Sequence, residues 1–106
     1  MYYQNNGDID DALNCYYALI DIDSLWPDTY YNIGYIYLLI DEDLDSAVYY
    51  LEKSTKLDPS FYQAYNNLGL AYEKKGKIDM ARKYYQKAIE INPDFQTAKD
   101  NLNALL

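Results

Sequence analysis

Histidine is missing from this chain altogether, and cysteine occurs once, at Cys15. Without imidazole, no side chain has its unperturbed pKa near neutrality, and no metal is held by histidine. A single thiol closes no intrachain disulfide. Four glycines and three prolines in 106 residues are too few for a turn-rich all-β architecture. Basic residues are absent from the first 52 positions, and the whole chain carries 9 of them against 17 acids, a formal charge of −8. Phosphate backbones are gripped by clustered Lys and Arg, so nucleic acid is not an expected partner. The most apolar run, Tyr35 to Ile40, falls far short of the ~20 residues that cross a bilayer. The opening residues lack the cationic start and apolar core of a signal peptide. Together these absences point to a cytoplasmic protein with no nucleic-acid, membrane or cofactor partner.

What is present is a soluble, globular composition: 50% hydrophobic, 25% charged, and 15 tyrosines among the aromatics. The length suits one domain. Its organising signal is an internal repeat. Gly69 lies over Gly34 and Tyr72 over Tyr37 at an offset of 35, while Ala81 lies over Ala47 and Pro93 over Pro59 at an offset of 34. One extra residue therefore sits between Tyr37 and Ala47. Ala12, Tyr16 and Leu19 fall under Ala47, Leu51 and Ser54, Leu102 falls under Leu68, and Trp26, Phe61 and Phe95 recur at the junctions.

Each period contains two helical patterns. Tyr65, Leu68, Gly69 and Tyr72 follow i, i+3, i+4, i+7, as do Ala81, Tyr84, Tyr85 and Ala88. Gly76 is placed to end the first helix in the left-handed conformation. Asp79 falls in the first turn of the next, where a negative charge suits the dipole. Asp58-Pro59 and Asn92-Pro93 close the units, because a residue before proline is driven out of the helical region. Pro27 opens a helix at its first position. The fold class read from this pattern is all-α, built of antiparallel helix pairs about three to four turns long.

The last full unit reads Tyr65-x2-Leu68-Gly69-x2-Tyr72, then Ala81-x3-Tyr85-x2-Ala88-x4-Pro93. The middle unit reads Tyr30-x2-Ile33-Gly34-x2-Tyr37, then Ala47-x3-Leu51-x2-Ser54-x4-Pro59. This pattern resembles the tetratricopeptide repeat (TPR) family. The resemblance implies a right-handed superhelix of stacked helix pairs, an α-solenoid, forming a single TPR domain over residues 1–106. Its expected parts are a truncated first repeat in 1–26, repeats over 27–61 and 62–95, and a C-terminal capping helix in 96–106. A helix near Ile9 to Ile22 would then expose an apolar face.

No constellation for catalysis emerges. Gly69 and Gly76-Lys77 do not have P-loop spacing. Asp41-Glu-Asp-Leu-Asp45 lacks the spacing and glycine of a calcium loop and reads as a solvated acidic turn. Cys15 reads as an inert buried thiol. No enzyme activity, catalytic residue, metal or cofactor is expected. Charge is unevenly spread: residues 1–52 hold 11 acids and no base, whereas residues 53–106 hold 6 acids and 9 bases. An acidic half of this kind attracts basic segments, or the basic half of a second copy.

The resemblance further implies a ligand surface on the concave side, along each repeat's first helix. Asn32, Asn67 and Asn101 fall in register there and would stack as a ladder, their amides able to hold a peptide backbone by both donor and acceptor. Tyr31, Tyr35, Gln63, Asn66 and Leu70 flank them. Chaperone-binding members clamp a C-terminal carboxylate with Lys and Arg, but the matching positions here hold Tyr31, Tyr35, Thr97 and Asn101. That clamp is not expected. The functional expectation is a non-catalytic scaffold that binds an extended peptide segment of a protein partner on its concave face. The alternatives are a self-assembly module, forming a homo-oligomer through the truncated N-terminal repeat, and a substrate-docking segment of a larger enzyme.

Overall fold

The computed structural model describes residues 26–105. The half-repeat expected in 1–26, with its helix near Ile9 to Ile22 and with Cys15, lies outside the described residues except for Trp26. Among the described residues there are five helices and no strand: α1 (Pro27–Leu39), α2 (Leu44–Leu57), α3 (Tyr62–Lys74), α4 (Ile78–Ile91) and α5 (Gln96–Ala104). Pro27 occupies the first turn of α1, where its missing N–H has no partner to lose.

The turns inside the two helix pairs differ by one residue. In the second pair, Gly76 takes φ 80°. The Lys77 amide then donates to the Tyr72 carbonyl at 2.8 Å and the Gly76 amide to the Glu73 carbonyl at 3.0 Å. This pair of bonds satisfies carbonyls that the helix end would leave open, in a Schellman arrangement. In the first pair the extra residue is accommodated by Glu42, which adopts φ 53°, while the Asp43 amide donates to the Tyr37 carbonyl at 2.9 Å. Asp43 then caps α2, accepting from the Ser46 amide at 3.2 Å and from its hydroxyl at 2.9 Å. Between pairs, Asp58 and Asn92 end their helices in extended conformation. Their side chains accept from the Ser60 and Asp94 amides at 3.1 Å, a local turn that asparagine and aspartate favour.

Short turns make each pair antiparallel, and the pairs then stack. α1 packs on α2 and α3 on α4, while α2 also packs on α3 and α4 on α5. The first helices of successive units touch one another, α1 with α3 and α3 with α5, whereas α2 and α4 do not. The stack is therefore closed on one side and splayed on the other, and the closed layer is the inner, concave one. Its core joins Leu38, Ala47, Leu51, Ala64, Leu68 and Ala71, drawn from α1, α2 and α3. That mixture buries apolar surface that a lone helix pair leaves in water. Each fully buried leucine contributes about 1.5–3 kcal/mol.

The small residues permit this approach. A Cβ on Gly69 would lie 2.6 Å from the ring of Tyr85, which is wholly buried. The Tyr85 hydroxyl donates to Glu73 Oε1 at 2.7 Å. Burial and that carboxylate push its phenol well above the ordinary range. Each pair also carries a three-ring stack. Tyr50 lies 6.3 Å from Tyr30 and 5.8 Å from Tyr37, and Tyr84 lies 6.3 Å from Tyr65 and 5.4 Å from Tyr72, all near parallel. The abundance of tyrosine thus has a packing reason, since offset rings attract beyond their buried area.

Candidate functional site

The inner layer of α1, α3 and α5 carries the residues singled out for ligand contact. Tyr31, Asn32 and Tyr35 stand on α1, Gln63, Asn66, Asn67 and Leu70 on α3, and Asn101 on α5. Tyr35 is 43% exposed. Asn32, Gln63, Leu70 and Asn101 are half-buried. Tyr31 is half-buried too, its ring stacked 4.8 Å from Phe61 and 6.3 Å from Tyr35 at interplanar angles of 28° and 29°. Three rings therefore form one continuous platform from α1 to the start of α3. Burial raises the Tyr31 phenol above its usual range, with the neighbouring Asn67 opposing and Tyr35 adding to the rise.

The asparagines do not form a ladder open to solvent. Asn66 and Asn67 are only 5% and 8% exposed. Asn101 Nδ2 donates to Asn66 Oδ1 at 3.1 Å, so α5 is tied to α3 through the residue beside the expected rung. The reason is the close approach of the inner helices, which closes over α3 and leaves its central amides under cover. The covered Asn67 amide lies against the Tyr31 phenol, close enough to oppose the rise in its pKa. Phe61 joins this platform although the repeat register does not single it out. In sequence it is only a recurring junction residue, and the approach of α3 to α1 brings it against Tyr31.

A shallow pocket of about 170 Å³, lined by Tyr30, Lys53, Lys56 and Leu57, is below the roughly 300–1,000 Å³ typical of ligand sites. Among the described residues no group of acids or thiols is arranged to hold a metal ion, and no helix is long and apolar enough to cross a membrane. In the acidic turn, Asp45 pairs with Lys75 from the next unit. The hydrogen bond and charge of Lys75 hold the Asp45 carboxyl below the usual carboxylate range.

Residues 62–95 match the sequence profile of the tetratricopeptide repeat, and residues 38–76 match a second TPR profile. The chain belongs to the tetratricopeptide repeat family. It is 37% identical over 51 residues to the tetratricopeptide repeat domain-containing protein PYG7, chloroplastic, of Arabidopsis thaliana, an alignment covering 48% of this chain and 17% of that one. MamA shares 29% identity and superposes with a TM-score of 0.85, over 92% of this chain and 56% of its own. The first TPR of Spaghetti (RPAP3), bound to the HSP90 peptide SRMEEVD, shares 25% identity with a TM-score of 0.87, over 93% of this chain and 78% of its own. This TPR chain thus spans little of PYG7 and just over half of MamA. At the positions where carboxylate-clamping members are expected to place cations, it presents half-buried Tyr31 and Asn101 and exposed Tyr35 and Thr97.

Proposed function

We propose that this TPR chain is a non-catalytic protein-interaction module that holds an extended, basic peptide segment along α1, α3 and α5. The observation that carries the reading is the 43% exposed ring of Tyr35, standing on the inner layer in one stack with Tyr31 and Phe61. The exposed Tyr35 ring adds apolar area. The peptide in the related RPAP3 domain supports a peptide as the ligand, although that one is acidic.

A hydrogen bond contributes about 0.5–1.5 kcal/mol net, against roughly 8.2 kcal/mol for a dissociation constant of 1 μM. A few amide bonds therefore need aromatic burial beside them, and the expected complex is weak and reversible. Selection of peptides from a displayed random library against the full chain tests the reading. The selected peptides should lose binding when Asn32 and Tyr35 are both changed to alanine and keep it in Tyr49→Ala, on the outer helix α2. Equal binding to the wild-type and Asn32→Ala/Tyr35→Ala chains would show that the inner face is not the site.

A further inference from the structure

We infer that the Tyr31–Tyr35–Phe61 platform is a subsite for one arginine side chain of the bound segment. This rests on the groove reading above and adds the chemistry of the occupant. The platform is a run of stacked rings whose outermost member, Tyr35, is 43% exposed. Ring faces carry negative charge density and attract cations, and a planar guanidinium both stacks on a ring and is weakly hydrated, which favours Arg over Lys.

The same chain already uses this contact where it has its own cations. Lys53 Nζ lies 5.6 Å from the Tyr30 ring centre and 5.1 Å from that of Tyr49, and Lys87 Nζ lies 6.0 Å from that of Tyr65. Among the described residues no cation covers Tyr31 or Tyr35. The nearby charge has the matching sign: Asp28, Asp41, Glu42 and Asp43 lie at the two ends of α1, and that helix carries no base. Asp28 stands on α1 one turn before Tyr31 and Asn32, and Asp41 to Asp43 follow the C-terminal end of that helix. An acidic residue placed on the platform would meet both the ring faces and these carboxylates unfavourably. The subsite therefore selects the opposite charge to the peptide SRMEEVD seen with the related RPAP3 domain.

The test uses the isotope-labelled full chain, followed by NMR at low salt. Three end-blocked nine-residue serine–alanine peptides are titrated in, bearing arginine, citrulline or glutamate at the centre. Citrulline keeps the shape of arginine and removes its charge. Arginine should shift the Tyr31, Tyr35 and Phe61 ring signals and bind about two- to thirty-fold more tightly than citrulline, the range spanned by cation–π contacts. Glutamate should bind more weakly than either. In Tyr35→Leu, which keeps apolar area at an exposed site, the preference for arginine over citrulline should fall toward unity. Equal affinity for arginine and citrulline, with the inner face still responding, overturns the subsite and leaves the groove reading standing. Shifts confined to α2 and α4, or no shift with any peptide, overturn both.

Discussion

Replacing Gly69 with alanine sets two effects of known size against each other. Helix propensity favours alanine by about 1 kcal/mol in a helix interior. Against this, the new Cβ would lie 2.6 Å from Cδ1 and Cε1 of Tyr85 and 3.1 Å from its Cγ. Carbon atoms rest about 3.5–4.0 Å apart, so the ring has to retreat by roughly an ångström. It has nowhere to go: Tyr85 is completely buried, and its hydroxyl is held by Glu73 at 2.7 Å. Overpacking of a rigid core costs about 1–3 kcal/mol, so the variant should lose up to about 2 kcal/mol net, and the full burial of the ring puts it toward that end. At roughly 4–8 °C per kcal/mol for a domain of this size, the melting temperature should drop by up to about 15 °C. Circular dichroism of the full chain at the helical minimum reads this directly. A second melt, of Gly69→Ala in a Tyr85→Leu background, isolates the cause. With the ring gone, alanine at 69 should become neutral or stabilising. If Gly69→Ala melted at or above the parent temperature, or cost the same with Tyr85 removed, the close approach would not be what the glycine is for.

Four other outcomes follow from the same geometry. Glu42 sits at φ 53°, so Glu42→Gly should stabilise the chain by about 0.5–1 kcal/mol by relieving left-handed strain; a lower urea midpoint would contradict this. Gly76 has φ 80° with open space around its Cα, so Gly76→Ala should cost about 1 kcal/mol through backbone strain alone, and no core truncation should rescue it. Asn67→Leu removes a buried amide that leans on the half-buried Tyr31 phenol, so it should cost no more than about 1.5 kcal/mol; a larger fall in the urea midpoint would make Asn67 a structural residue. Burial and the Glu52 carboxylate push the Tyr84 phenol from 10.0 up to about 12. The folded chain then keeps a proton that the unfolded chain releases, so this contribution is complete below about pH 10 and drains away between about pH 10 and 12. Urea midpoints across that window should fall less steeply in Tyr84→Phe, and identical slopes would remove Tyr84 as a cause.

The repeat and the helix boundaries were legible because their signals are local. Pro27 at a helix start, Gly76 at a helix end and the Asp58-Pro59 and Asn92-Pro93 stops each act through the backbone of their own few residues. The extra residue before Ala47 was likewise visible as a break in register, and it appears as the longer turn through Glu42. What the spacing did not reveal was how far apart successive units stand, and the fate of the asparagines depends on that distance. A helical position fixes which face a side chain leaves from, which is why Asn32, Asn67 and Asn101 share a face in sequence. Whether that face is open is decided by the neighbouring helix. Here α5 reaches α3 through the Asn101–Asn66 bond, Tyr31 leans on Phe61 at the start of α3, and Asn67 is left covered against Tyr31. Local chemistry chose the helices, their ends and their order; the close packing of one pair upon the next, a contact between residues some thirty-five apart in the chain, chose which of their polar groups still face a partner.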